Sequence, residues 1–98
     1  MKKIFISQPM ENLSAEQIKK DRQEIVDAVA IEYGKGAECV WNKFDFDKDI
    51  SPLKVLSNDL DLLDTVTAVF FAHGWENSKR CKIEHNVAKA YGIEILCD

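Results

Sequence analysis

Glu84 is the residue of this 98-residue chain best placed to react with a small molecule. It lies in the last predicted helix, about 100° around the axis from Ile83 and about 60° from Val87, so it flanks a predicted apolar stripe. A carboxylate there is partly desolvated, which raises the energy of its charged form and makes it a stronger nucleophile or acid. The alternative is a surface glutamate that pairs with Arg80 or Lys89.

Asp59 is the second candidate for chemistry. It lies in the segment Asn58–Asp61, on a predicted helix that leads into the central strand. Two carboxylates on neighbouring elements can divide a reaction, one attacking while the other transfers a proton. The alternative is that Asp59 faces solvent, as acids on such helices usually do, and as we expect for Asp64.

Four more side chains could contact a ligand. Lys79 and Arg80 lie in the first turn of the last helix, where their charge opposes the helix dipole and a bound anion would relieve the conflict. Trp75 and Tyr91 are amphipathic aromatics near the predicted pocket rim that could stack on a base. The alternatives are extended cations in solvent, and aromatic rings packed in the core or in an interface.

Two patterns that could indicate metal sites are incomplete. His73 and His85 share no ligand spacing with Cys81, which argues against zinc. The acidic loop Asn42–Ser51 lacks the glycine and closing glutamate of a calcium loop, so we interpret it as solvated. We therefore expect neither a metal nor a cofactor.

The strands and helices that must position these residues alternate along the chain. Apolar runs predict strands, whereas capping residues and apolar spacings of three and four predict helices. The predicted strands are Lys3–Ser7, Ala37–Trp41, Ala68–Ala72 and Ile93–Cys97. The predicted helices run from the cap Ser14 to Gly34, from Pro52 to Thr65 and from the cap Ser78 to Gly92. Buried stripes are expected at Leu53, Leu56, Leu60 and Leu63 of the second helix and at Ile83, Val87 and Ala90 of the third.

This alternation, with apolar strands, predicts a mostly parallel sheet with helices on both faces. The expected fold is a single three-layer α/β domain with a four- to five-stranded sheet, flavodoxin-like or Rossmann-like. Ligands of such sheets bind outside the carboxyl ends of the strands. That rule predicts a pocket rim formed by residues 7–10, 41–43 and 73–75.

Composition excludes several classes of function. The net charge of −4 argues against a nucleic-acid polymer as the main partner, though it allows a nucleotide. The sequence contains no apolar run near the ~18 residues of a membrane span, and its start lacks the apolar core of a signal peptide. The three cysteines have no paired spacing and are expected to be reduced, so we expect a cytoplasmic protein.

Three segments, Lys3–Met10, Asn58-Asp59 and Cys81–Glu84, resemble the nucleoside 2-deoxyribosyltransferase family. The resemblance is closer to a branch of small, largely uncharacterised bacterial and phage proteins. That branch typically reads K-I-F-I-S-Q-P-M near its start, as here at Lys3–Met10. Near its end it reads F-x-x-G-W-x-x-x-x-x-C-x-I-E-H, as here at Phe71–His85.

The resemblance implies roles for particular residues. In the transferases, a glutamate early in the last helix attacks the anomeric carbon of deoxyribose, and Glu84 falls at that position. An aspartate in an Asn-Asp pair assists proton transfer at the leaving base, and Asp59 falls there. The loop after the first strand contacts the nucleoside, and in related nucleotide hydrolases it also helps to hold a 5′-phosphate. The residues expected to bind substrate are Ser7, Gln8, Met10, Asn58, Gly74, Trp75, Lys79 and Arg80.

The sequence departs from the transferases at three points. Asn86 stands where they usually carry glycine, and Thr67 where they usually carry aspartate. Their chains also continue past the last strand and help to complete a neighbouring subunit's site, whereas this sequence stops at Asp98. We therefore expect a site that differs from the full transferase form.

The predicted function is cleavage or transfer at the N-glycosidic bond of a deoxynucleoside or its monophosphate. A non-enzymatic nucleotide-binding module with the same fold remains an alternative, as does a small structural partner in a phage or prophage. The expected partners are a small nucleoside or nucleotide and, by resemblance, further copies of the chain in a homo-oligomer. No membrane is expected as a partner.

Overall fold

The computed structural model describes residues 2–97, which contain one parallel sheet of four strands with the order β2-β1-β3-β4. The strands are β1 (Lys3–Ser7), β2 (Glu38–Val40), β3 (Ala68–Phe71) and β4 (Glu94–Cys97). The helices are α1 (Ala15–Tyr33), α2 (Pro52–Leu63) and α3 (Lys79–Ala90), and a short 3-10 helix spans Trp75–Asn77. The predicted α/β fold is confirmed, and each predicted element is present with ends that shift by three residues or fewer.

The sheet is covered on both faces because successive side chains of a strand point to opposite sides. One face packs on α1 through the buried residues Ile4, Ile6, Ile25, Val29, Phe70 and Ala72. The other face packs on α2 and α3 through Phe5, Leu63, Val69, Phe71 and Ala88. The result is the predicted three-layer domain. The helix that follows β1 covers one face and the helices on either side of β3 cover the other, so the connections change sides between these two neighbouring strands. Such a switch point leaves a crevice at the carboxyl ends of the strands.

Serine side chains begin all three helices, because each hydroxyl accepts a hydrogen bond from a backbone N–H that the first turn leaves free. Ser14 accepts from the N–H of Gln17 at 3.1 Å, and Ser78 accepts from the N–H of Cys81 at 3.3 Å. Ser51 caps α2 in the same way. The cap of α3 matters most for the site, because it fixes the first turn, which carries Arg80, one turn before Glu84.

The predicted apolar stripe of α2 is wrong in part. Leu63 is buried, but Leu53 is 78% exposed and Leu60 also lies at the surface. Asp59, one turn before Leu63, is fully buried instead. The helix turns this face inward because Asp59 finds hydrogen-bond donors there, and a buried carboxylate is tolerated only when it is paired.

The buried face of α3 also differs from the predicted one. Cys81, Glu84 and Ala88 are buried, whereas Ile83 is half-buried and Ala90 is exposed. Residues 81, 84 and 88 follow one another at spacings of three and four, so they share one side of the helix. Glu84 therefore lies within the buried face and does not merely flank it.

None of the described helices combines the length and the apolar character needed to cross a membrane. Cys39 and Cys81 are free thiols. The side chain of Cys97, which we also expect to be reduced, lies outside the described part of the structure.

Candidate functional site

Glu84 lies against the carboxyl end of β1, at the switch point of the sheet. Its side chain is 1% exposed, and Oε1 accepts a hydrogen bond from the buried hydroxyl of Ser7 at 2.5 Å. Oε2 lies 3.4 Å from Nε of Arg80, one turn earlier on the same helix. The alternative of a surface glutamate is wrong, although the pairing with Arg80 that it included is present.

Asp59 approaches the same arginine from α2. Its Oδ2 accepts from Nε of Arg80 at 2.5 Å, and its Oδ1 accepts from Nη2 of Arg80 at 3.1 Å. Oδ1 also accepts from the side-chain amide of Asn42 at 2.7 Å. A solvent-facing Asp59 is thus excluded, because the carboxylate is enclosed by three donors.

Arg80 joins the acids of three separate segments. Besides its bonds to Asp59 and Glu84, its Nη2 donates to Oδ1 of Asp45 at 2.8 Å. The alternative that Arg80 extends into solvent is wrong, because its guanidinium pairs with protein carboxylates. Its role in holding a ligand anion stays a prediction. Lys79 remains exposed, since the next position on a helix lies about 100° around the axis.

Asp45 and Arg22 complete this cluster, and sequence reasoning missed both. Asp45 lies in the loop that we interpreted as solvated, yet its side chain is only 3% exposed and pairs with Arg22 and Arg80. Arg22 also donates through Nε to Oε1 of Gln8 at 3.0 Å, while the Gln8 amide donates to the carbonyl of Ile18. The available signal was a charged residue, Arg22, at a position within the apolar spacing of α1. Gln8 positions Arg22, because both ends of its amide are engaged.

Asn42 lies in the predicted rim segment 41–43, but its contacts with the carboxylate site were not predicted. Its amide nitrogen donates to Asp59 and to the carbonyl of Val55 at 2.8 Å. Its amide oxygen accepts from Asn58 at 2.8 Å and from the N–H of Phe44 at 2.8 Å. Asn58 therefore reaches Asp59 through Asn42 and not directly.

Burial has opposite effects on the two kinds of charge in the cluster. Desolvation raises the pKa of Glu84 to about 9, the neighbouring Asp59 adds to this rise, and Ser7 and Arg80 offset only part of it. Burial by itself would lower the pKa of Arg80, but Asp59, Glu84 and Asp45 hold it above its usual range. With Glu84 neutral, two arginines balance two aspartates. The raised pKa therefore favours the protonated form of Glu84 at neutral pH.

A cavity of about 720 Å³ opens beside these residues, between the loop after β1, the loop before α2 and the first turns of α2 and α3. Its wall is mostly apolar and includes the predicted ligand-binding residues Gln8, Met10, Lys79 and Arg80. Glu84 and Asp59 do not line it. Arg80, which bonds both, does, so a ligand in the cavity meets Arg80 before it meets either carboxylate.

The remaining predicted binding residues lie apart from this cavity. Trp75 stacks on His85 with ring centroids 4.3 Å apart and also packs against Phe71. Gly74 adopts φ 87°, which turns the chain into the 3-10 helix. Tyr91 is 80% exposed and follows α3, at the edge of the sheet opposite the strand carboxyl ends, so its expected place at the rim is wrong. Trp75 lies in the predicted rim segment after β3, and its packing is the alternative that the sequence left open; Tyr91 alone was misplaced.

No three side chains of His, Cys, Asp or Glu within residues 2–97 are grouped so that they could hold a metal ion. The described site is built from carboxylates, guanidinium groups, amides and one serine hydroxyl.

Fold and site together define a class: a doubly wound parallel α/β domain with a buried carboxylate pair bridged by arginine at its switch point. The chain belongs to the family described as Domain of unknown function (DUF4406), whose model matches residues 2–97. Searches of curated proteins and of solved structures found no match. The resemblance to the deoxyribosyltransferases therefore stays a prediction.

Proposed function

We propose that this protein cleaves or transfers the N-glycosidic bond of a deoxynucleoside or deoxynucleoside monophosphate. Glu84 is the nucleophile and Asp59 the acid and base. The observation that carries the proposal is the pair of buried carboxylates held by one atom, Nε of Arg80, at 2.5 Å from Asp59 and 3.4 Å from Glu84. Two acids that compete for one proton can divide the roles of nucleophile and proton donor.

The first half of the reaction uses the proton that Glu84 holds at rest. Transfer of this proton to Asp59 leaves Glu84 as a carboxylate with little solvation, which attacks the anomeric carbon of the sugar. The bond from that carbon to the base nitrogen breaks, and its electron pair stays on the base. Asp59 donates its proton to the departing base, which makes it a better leaving group.

The second half reverses these roles. Water or a second base attacks the anomeric carbon of the glycosyl ester, and the carboxylate of Glu84 departs. Asp59 takes the proton that the incoming group loses. In both halves the positive charge that develops on the sugar lies beside carboxylates in a site shielded from water, where such stabilisation is strongest.

The ligand is proposed to bind in the cavity beside α3. Its apolar wall suits the flat face of a base, and Met10 and Lys79 lie on that wall. The side chain of Arg80 is 25% exposed, so it has room to shift when the sugar approaches Glu84. That shift is required for catalysis, because neither carboxylate lines the cavity.

The same geometry favours a second candidate, a nucleotide-binding module without turnover. A ligand can fill the cavity while Arg80 keeps its bonds to Asp59 and Asp45, and then neither Asp59 nor Glu84 meets the ligand and no reaction follows. Binding that is unaffected by Glu84→Gln, without release of base, would support this candidate. An absence of any nucleotide binding would instead favour the structural partner in a phage or prophage.

The proposal extends to partners and location. Large apolar side chains are exposed near the cavity mouth, including Leu53 at 78% and Phe46 at 42%, and covering them would favour a homo-oligomer. Sedimentation would test this: a purely monomeric protein contradicts it. The free thiols of Cys39 and Cys81 suit a reducing compartment such as the cytoplasm.

The direct test is chromatography of free base after incubation with pooled deoxynucleosides and their monophosphates, with and without an added acceptor base. Glu84→Gln is the test variant, and Glu32→Gln, an exposed glutamate on α1, is the matched control. We expect base release by the wild type and the control and none by Glu84→Gln. A folded wild type that releases no base from any pool contradicts the proposal.

A further inference from the structure

Arg80 is shared unequally among three carboxylates. Asp59 receives two hydrogen bonds from it, at 2.5 and 3.1 Å, and Asp45 receives one at 2.8 Å. Glu84 receives only the long contact of 3.4 Å, although it is the nearest of the three in sequence. A glutamate four residues after an arginine can ordinarily pair with it on the helix surface. The bonds to Asp59 and Asp45 therefore hold the guanidinium away from Glu84.

Asp45 is held where it can exert this pull. One carboxylate oxygen pairs with Arg22 of α1 and the other with Nη2 of Arg80 of α3. Arg22 is itself fixed by its bond to Gln8, and its guanidinium lies over the ring of Trp41, 4.5 Å from the centroid. The carboxylate is 3% exposed, so solvent screens its attraction for Arg80 very little.

We propose that Asp45 is a positioning residue, which binds Nη2 of Arg80 and so keeps the guanidinium on Asp59 and away from Glu84. Glu84 is thereby left with Ser7 as its close partner, at 2.5 Å. A catalytic role for Asp45 rests on the proposed function. Its effect on the position of Arg80 does not, because that is a property of the protein without substrate. Asp45 touches neither reacting carboxylate in the described structure; it acts through Arg80.

The consequence is electrostatic. If Asp45 loses its charge, Nη2 of Arg80 loses one of its two carboxylate partners, and the guanidinium can turn from Asp59 toward Glu84 and shorten the 3.4 Å contact. A shorter contact favours the carboxylate form of Glu84 and removes the proton that the proposed reaction uses. The groups that face Glu84 or its partners in the cluster are Ser7 of β1, Asp59 of α2, Arg80 and Cys81 of α3, Arg22 of α1 and Asp45 itself.

The test is the titration of the Glu84 carboxyl carbon by NMR with selectively labelled glutamate, assigned by its loss in Glu84→Gln. We expect Asp45→Asn to move the midpoint to lower pH by about 1 pH unit. Arg22→Gln should move it to higher pH, because Asp45 then has only Arg80 to bind. Asp49→Asn, an exposed aspartate of the same loop, should leave it unchanged.

A double-mutant cycle separates positioning from direct repulsion between charges. In an Arg80→Met background, Asp45→Asn should no longer move the midpoint, because the arginine that transmits the effect is gone. A shift that survives in that background overturns the proposal, as does a wild-type midpoint retained in Asp45→Asn. If Asp45→Asn does not fold, Arg22→Gln decides the matter by the sign of its shift.

Base release gives the catalytic readout. The pH dependence of kcat should move with the titration midpoint in Asp45→Asn and Arg22→Gln, and Asp45→Glu should restore part of the wild-type profile. A structural role alone would lower the amount of folded protein without moving the profile. An absence of base release in the wild type would refute the proposed function, whereas the titration would still confirm or refute the role of Asp45.

Discussion

Replacing Glu84 with Gln should change how the stability of the protein depends on pH. Burial raises the pKa of this carboxyl from an ordinary value of 4.5 to about 9, so at neutral pH the folded state keeps a proton that the unfolded chain has lost. The contribution of such a group is fully present below its unfolded pKa and is lost as the pH rises toward its folded pKa. Stability due to Glu84 therefore falls across the window from about 4.5 to 9.

The magnitude follows from linkage. Each pH unit within that window lowers the free energy of unfolding by about 1.4 kcal/mol. Between pH 5 and pH 7 the wild type should lose about 2 to 3 kcal/mol through this group. Glutamine has no proton to lose, so Glu84→Gln should gain that amount relative to the wild type over the same range. Any cost of the amide that does not depend on pH cancels in the comparison.

Urea denaturation at pH 5, 6 and 7 measures the difference, with Glu32→Gln as the exposed control. Relative to the wild type, Glu84→Gln removes one titrating carboxyl, Glu84, and the control removes one exposed carboxyl, Glu32, so the two differences in unfolding free energy compare a buried with an exposed glutamate. We expect this difference to grow with pH for Glu84→Gln and to stay flat for the control. A flat difference for both variants would show that Glu84 is already ionised in the folded protein at pH 5, and would refute the reasoning.

Three further predictions concern other parts of the structure. Arg80→Met leaves buried carboxylates without their cation and should lower the unfolding free energy by about 3 kcal/mol in urea at pH 7, with a smaller loss for Arg80→Lys; equal losses would contradict a role for charge. Gly74→Ala should cost about 1 kcal/mol because φ is 87°, whereas Gly36→Ala, which meets open space, should be close to neutral in the same assay. Cys81, whose pKa burial raises to about 11, should react with a thiol reagent only on unfolding, more slowly than half-buried Cys39 as followed by peptide mass mapping; comparable rates would show that α3 opens readily.

The balance of charge explains how a cluster of three acids remains buried in so small a domain. An unpaired carboxylate in the interior would be strongly destabilising, and each acid here has a cation or a hydroxyl as a partner. The proton on Glu84 completes the balance. A site of this kind is sensitive to the loss of any one member, which is why single substitutions at Arg80 and Asp45 have predicted effects on Glu84.

The sequence by itself determined the elements and their layers. The serine caps at Ser14 and Ser78 act on backbone groups three residues away, so their effect can be recognised locally. Apolar runs separated by helical stretches likewise required a parallel sheet covered on both faces. The partly buried position of Glu84 beside the apolar stripe of the last helix also followed from local spacing.

Only the tertiary structure decided which polar side chains turn inward. Arg80 and Asp45 lie 35 residues apart in the chain, and Ser7 and Glu84 lie 77 residues apart, so no local pattern links them. The burial of Asp59 in place of Leu53 has the same cause. The orientation of α2 depends on the packing and hydrogen-bonding partners that other segments of the chain present to each of its faces. Backbone capping is a short-range interaction between residues three positions apart, so the sequence shows it directly. The pairing of buried charges depends on elements that come into contact only when the chain folds.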